Sequence, residues 1–270
     1  MECKLKSITI NYEVYGEGRP MLMIHGYTPD HRLMTGCMEP VFEQVGGWKR
    51  IYIDLPGMGL TKAPSWLKNS NQMLDIVLEF IDAVIPGQRF ALAGESYGGY
   101  LSRGIIYKKP ELVDGLLMIC PCIIPDRARR KLPVKAVLLR DERLMAELDE
   151  KSSAEFDDIA VVQSRRHWER FRDEVMPGLN IADEAFLSRF QQEGYSYSFD
   201  VDSLQEPFTG PSLILTGRQD TSTGYIDAFN ITGNFPRAGY AALDMAGHDL
   251  QIEQEVLFNA LVKEWIGRLS

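Results

Sequence analysis

A chain of 270 residues with 45% hydrophobic content can bury a sizeable core, as one large α/β domain or as a core carrying an insertion, and this excludes a disordered polymer. A net charge of −9 leaves no basic footprint for nucleic acid or anionic membrane, so neither is expected as a partner. No apolar run approaches the length of a membrane span, and the residues after Met1 alternate instead of forming a signal-peptide core, which predicts a cytoplasmic protein.

Residues 4 to 15 alternate through Leu5, Ile8, Ile10, Tyr12 and Val14, the pattern of antiparallel strands joined by a turn. Met21-Leu22-Met23-Ile24 is continuous and apolar, hence a strand covered on both faces, and it stops at His25-Gly26-Tyr27-Thr28-Pro29. The next strand, Arg50 to Ile53, runs into Asp54-Leu55-Pro56-Gly57-Met58-Gly59. The third glycine of a dinucleotide fingerprint would fall on Lys62, so these residues read as a structural turn. Ser70 or Asn71 caps a helix whose apolar face is Leu74, Val77, Leu78, Ile81 and Ile85.

A buried strand from Phe90 then meets Gly94-Glu95-Ser96-Tyr97-Gly98, and a helical pattern follows to Lys108-Lys109-Pro110. A turn this tight strains its central residue and leaves no room for side chains at Gly94 and Gly98. Ser96 would stand at the apex, with the following amides at a helix N-terminus where a developing oxyanion is favoured. Leu116 to Ile119 is a further strand. From about Asp126 to Glu206 the alternation gives way to charged helices, one starting at Ser164 and ending at Pro177-Gly178, another from an Asp183 cap to Gly194. Some eighty residues of helix between core strands read as a lid. Its aromatics, Trp168, Phe171, Phe186, Phe190, Tyr195 and Tyr197, are expected to form the lid's own core in preference to a pocket.

Core strands resume at Ser212 to Thr216 and Tyr240 to Leu243, and the terminal helix presents Leu257, Leu261, Trp265 and Leu269 in one stripe. The domain division expected is a core of residues 1–124 and 207–270 with a helical cap at 125–206. Cys3, Cys37, Cys120 and Cys122 do not form a disulfide framework, and Cys120-Pro121-Cys122 lacks the spacing of a redox or zinc site; no metal is expected.

A serine hydroxyl needs a base within reach, itself oriented by a carboxylate. Of four histidines, His248 follows a glycine at the carboxyl end of a core strand, the sheet edge where Ser96 and Asp220 also fall, and the order Ser96, Asp220, His248 is that of a Ser…Asp…His triad. Asp126 begins a cluster of cations and reads as a solvated surface pair, and Asp244 as a strand-end residue; Asp220 is the favoured orienter.

Taken together, His25-Gly26, Asp54-x-Pro56-Gly57-x-Gly59, the elbow, Gly217-x-x-Asp220 and Gly247-His248 resemble the α/β-hydrolase fold superfamily, in its capped esterase, peptidase and carbon–carbon hydrolase branch. The resemblance spans essentially the whole chain. It implies a mostly parallel central sheet flanked by helices, with Ser96 as nucleophile, His248 as base and then acid, and Asp220 as its orienter. The backbone amides of Tyr27 and Tyr97 are the oxyanion donors it implies; His25 takes a structural role, and no cofactor is called for. Serine at the elbow argues against the dehalogenases and epoxide hydrolases of this fold, which carry aspartate there, and the single glycine of His25-Gly26-Tyr27 argues against a large-lipid lipase. The expected activity is cleavage of a small carboxylic ester or amide. The alternatives are an aminopeptidase acting on N-terminal proline, a carbon–carbon bond hydrolase, a cofactor-free perhydrolase and, from another class, a ligand-binding module with a hydrolase-like pocket. Oligomeric state is not legible.

Overall fold

The computed structural model describes residues 1–269; Ser270, the end of the second core stretch expected above, lies outside them. In chain order the core elements are β1 (Glu2–Lys4), β2 (Thr9–Tyr15), β3 (Arg19–Ile24), α1 (His31–Phe42), β4 (Trp48–Ile53), α2 (Ser70–Val84), β5 (Phe90–Glu95), α3 (Tyr97–Lys108) and β6 (Val113–Ile119). A helical stretch follows. It contains β7 (Leu139–Arg140), α4 (Glu142–Glu147), α5 (Glu150–Ile159), β8 (Val162–Gln163), α6 (Arg165–Arg170), α7 (Met176–Ile181) and α8 (Glu184–Glu193). The chain then returns to β9 (Ser212–Gly217), α9 (Tyr225–Asn230), β10 (Ala238–Leu243), α10 (Leu250–Glu253) and α11 (Glu255–Gly267).

Eight strands form one sheet in the order β1-β2-β4-β3-β5-β6-β9-β10. It is mixed: β1 and β2 join antiparallel at one edge, and every pairing from β4 to β10 is parallel. Strand alternation sorts the core into two layers. Leu22, Ile24, Leu92, Leu116 and Met118 face Leu74, Val77, Phe80, Leu101 and Ile105 of α2 and α3. The intervening Met21, Met23, Ala91, Ala93 and Leu117 face Met34, Met38, Val41, Phe258, Val262 and Trp265 of α1 and α11. Burial on both faces explains why these strands are unbroken apolar runs.

Three core helices differ from the sequence reading. α1 had no counterpart there, because Gly36 and Pro40 interrupt its pattern; Asp30 caps it, accepting from the Arg32 amide at 3.0 Å. α2 is capped one residue earlier than expected, by Asn69, whose side chain accepts from the Gln72 amide at 3.1 Å. In α11 the buried face is Phe258, Val262, Trp265 and Ile266, whereas Leu257 is 49% exposed: the stripe is rotated, with Trp265 and Leu269 common to both readings.

The helical stretch has a packed interior of its own, where Leu144, Phe156, Trp168, Phe171 and Val175 meet Leu33 and Ile252. The helix starting at the Ser164 cap does not stop at Pro177-Gly178. It passes through a π turn at Phe171–Val175 into α7, whose first turn accommodates Pro177 because an N–H there needs no intrahelical acceptor. Among the described residues no helix is long and apolar enough to cross a membrane, and all four cysteines are free.

Candidate active site

β5 and α3 meet at Ser96, which takes φ 49° and ψ −110°, a conformation an L-residue holds only when its surroundings impose it. Here they do. The Ser96 amide donates to the Ile119 carbonyl at 2.9 Å, and the Ser96 carbonyl accepts from the Cys122 amide at 2.9 Å, which fastens the turn to the end of β6. A Cβ on Gly98 would run into the Ile24 and His25 carbonyls, so α3 approaches β3 only because position 98 is glycine. Gly98→Ala is expected to displace the elbow and to destabilise the fold by about 1–3 kcal/mol, measured by denaturant unfolding.

His248, in the loop between β10 and α10, directs Nδ1 at Asp220 Oδ2, 3.0 Å away. Asp220 is fully buried and held on its other sides: the Thr223 hydroxyl donates to Oδ2 at 2.7 Å, and the Ser222 and Thr223 amides donate to Oδ1 at 2.7 and 3.1 Å. Burial opposes its ionised form, but the His248 charge and these donors prevail and hold its pKa down at about 2. Burial likewise opposes the His248 imidazolium, and Asp220 followed by Glu95 outweighs it, lifting its pKa to about 9. Nδ1–H donating to a carboxylate leaves Nε2 as the working atom of the ring.

Asp126 and Asp244 lie elsewhere. Asp126 accepts from the Ala128 amide at 3.0 Å at the start of a short 3-10 turn, so it is a local cap and not the surface ion pair expected. Asp244 accepts from Gln219 Nε2 at 2.7 Å. His25 is buried with both ring nitrogens engaged, Nδ1 with the Gly26 carbonyl at 2.7 Å and Nε2 with the Leu55 amide at 3.0 Å. Burial lowers its pKa, and the neutral ring ties the loop after β3 to the loop after β4. Asp54 organises that second loop, binding the His31 ring at 2.7 Å, Asn11 at 2.8 Å and the Leu60 amide at 2.9 Å. Gly57 and Gly59 both have positive φ there, as a tight turn requires.

Ser96, His248, Tyr27 and Glu95 line one cavity of about 250 Å³. Its apolar wall comes from Leu33 of α1 and from Ile159, Phe171, Val175 and Leu179 of the helical stretch. Phe171 alone of the six lid aromatics reaches it; Trp168 packs with Phe156 and Phe171, while Phe186, Phe190, Tyr195 and Tyr197 join the α2 and α3 core. Tyr27 is fixed by an O–H donated to the Leu187 carbonyl at 2.6 Å and by edge-on contact with the Tyr97 ring. Tyr97 opens α3, so its amide has no intrahelical acceptor, whereas the Ser96 amide is already spent on Ile119. A larger cleft of about 800 Å³ lies at the opposite strand ends, beside Val113 and Pro211.

Two residues at the site escape sequence motifs. Thr223 orients Asp220 from three positions away, with nothing in its neighbourhood to mark it. Glu95 does carry a signal, an acid closing a strand that is otherwise apolar and wholly buried. The helical stretch also grips the His248 loop: His167 Nε2 lies 3.3 Å from Asp249 Oδ2, and Glu253 accepts from the Val161 and Val162 amides at 2.7 and 2.9 Å. Among the described residues, two groups of side chains that could ligate a metal bring their atoms within 4.8 Å, Cys120 with Asp220 and His248, and Asp30 with His31 and Asp54. In each the carboxylate and imidazole already bind one another, and burial keeps the Cys120 thiol protonated.

This architecture has relatives. Residues 19–255 match the alpha/beta hydrolase fold family. The chain is 22% identical over 262 residues to a pimeloyl-[acyl-carrier protein] methyl ester esterase of Legionella pneumophila (strain Paris), covering 96% of this chain and all of that protein. Among solved structures, an alpha/beta superfamily hydrolase from Oenococcus oeni PSU-1 is 27% identical with a TM-score of 0.90, covering 100% of this chain and 99% of the other. A thermophilic esterase from Thermogutta terrifontis shares the fold at 18% identity and a TM-score of 0.70, covering 100% and 99%. The chain belongs to the alpha/beta hydrolase fold family and is a hydrolase of that fold.

Proposed function

We propose that this hydrolase cleaves small carboxylic esters through an acyl-enzyme on Ser96. The observation that carries the reading is the strained Ser96 lining the same cavity as His248, whose other ring nitrogen binds the buried Asp220. Ser96 Oγ attacks the ester carbonyl while its proton passes to His248 Nε2, and Asp220 stabilises the imidazolium that forms. The Tyr27 and Tyr97 amides receive the charge that develops on the carbonyl oxygen. Collapse of the tetrahedral intermediate expels the alcohol, which takes the proton from Nε2. Water, deprotonated by the same nitrogen, then releases the acid and restores Ser96.

An ester is favoured over an amide or a carbon–carbon bond because the Legionella relative bears the name of a methyl ester esterase. A small acyl group is favoured because 250 Å³ falls below the roughly 300–1,000 Å³ of drug-sized sites. Residues 125–206 act as a cap over a core of 1–124 and 207–270, and Phe171 bounds the acyl pocket. The test is a panel of 4-nitrophenyl esters of increasing acyl length, run beside proline amides and vinylogous diketones. Short esters should be the best substrates, and Phe171→Ala should raise the kcat/KM ratio of long to short acyl chains roughly tenfold. Preference for the amide or diketone would overturn the ester assignment.

A further inference from the structure

Glu95 has no role in the chemistry just described, yet it occupies the centre of the site. It is 3% exposed, and its Oε1 lies 3.3 Å from Nε2 of His248, the nitrogen that must take the Ser96 proton. The Gly26 backbone lies against the same carboxyl. A Cβ on Gly26 would collide with Glu95 Oε2, so glycine at 26 is what leaves this carboxyl its space.

The groups facing the pair are nearly all acidic or neutral. Asp220 lies across the ring, Asp249 is adjacent, and the Cys37 and Cys120 thiols approach from α1 and the end of β6. Glu155 and Asp158 line the cavity from α5, while His167 is committed to Asp249, and Arg170, which reaches toward Cys37, is paired with Glu174. Burial, followed by the charges of Asp249 and Asp220, raises the Glu95 pKa to about 8 against the pull of His248. The His248 imidazolium is thus clamped at both nitrogens.

We propose that Glu95 is a positioning residue for His248: its carboxyl holds the Nε2 edge of the ring, and Ser96 gains its base only when that contact is released. The proton ledger is simple. Once Glu95 has lost its own proton, near pH 8, its carboxylate accepts the Nε2 proton of the imidazolium, and the ring has no lone pair for Ser96. Loss of that proton to solvent leaves neutral His248, still donating Nδ1–H to Asp220, with Nε2 free to accept from the Ser96 hydroxyl. Because a carboxylate beside an imidazolium favours the charged ring, Glu95 moves the onset of activity to higher pH.

The proposal rests on the serine-hydrolase reading, and its test separates the two. The pH dependence of kcat/KM for 4-nitrophenyl butyrate is measured for the natural enzyme and for Glu95→Gln, which preserves size and removes the charge. The acid limb should move to lower pH by about one unit, making the variant about tenfold faster at the foot of the limb. A merely structural Glu95 would lower activity without moving the limb. Should Glu95→Gln fail to fold, Glu95→Asp, which withdraws the charge by one methylene, is expected to shift the limb in the same direction. An unshifted limb in a folded variant would overturn the proposal, while ester turnover by the natural enzyme that survives Ser96→Ala would overturn the reading beneath it.

Discussion

Ser96→Ala is expected to lower turnover of a short activated ester by roughly 10⁶, the scale seen when the nucleophile of a serine triad is removed, while leaving the unfolding transition in place. The side chain carries none of the elbow's structure. The turn is held through the Ser96 amide and carbonyl, which bind Ile119 and Cys122, and alanine keeps both. Any change in stability would come only from easier or harder occupation of the positive φ. Residual activity should match what binding and the oxyanion amides provide without covalent chemistry. Circular dichroism and denaturant unfolding alongside the kinetics distinguish a lost nucleophile from a lost fold.

Asp220→Asn should lower turnover by up to roughly 10⁴. The amide preserves the shape of the carboxylate, but it cannot accept from every donor now arrayed on it. The Thr223 hydroxyl, the Ser222 and Thr223 amides and His248 Nδ1–H all give hydrogen bonds to Asp220. An asparagine that turns its NH₂ toward His248 forces the ring into the tautomer with the proton on Nε2, where it cannot act as base. The imidazolium formed during attack also loses its counter-charge. Because the Asp220 pKa is depressed to about 2, the carboxylate is ionised throughout the working pH range, so the natural enzyme's acid limb belongs to His248 and its neighbours. Asp126→Asn, at a surface cap, should stay near the natural rate.

Much of the fold was legible because its strands are unusual. Met21–Ile24, Phe90–Ala93 and Leu116–Ile119 are continuous apolar runs, which only a sheet covered on both faces explains, and the glycines around Ser96 announce a close helix–strand approach. What escaped did so for local reasons. α1 contains Gly36 and Pro40, which break a helical pattern on paper but are tolerated where the helix packs on β3 and β4. α11 is apolar around much of its circumference, so a stripe through Leu257 fits the spacing as well as the true one through Phe258; only the sheet decides between them. At the site, chain order brought Ser96, Asp220 and His248 into view. Glu95 sat at a variable position of the Gly-x-Ser-x-Gly pattern, and the effect of an acid there depends on a histidine more than 150 residues away. Phe171 was indistinguishable in sequence from the other lid aromatics, since all six are buried and only one borders the cavity.

The central claim is that Ser96 is an activated nucleophile, and covalent labelling with a fluorophosphonate tests it most directly. After incubation near pH 8, peptide mapping by mass spectrometry should find one phosphonyl adduct, on Ser96. Asp220→Asn should label far more slowly, and Ser96→Ala not at all. An enzyme that hydrolyses esters yet carries no adduct on Ser96, or one whose Ser96→Ala variant labels elsewhere at the natural rate, would contradict the account.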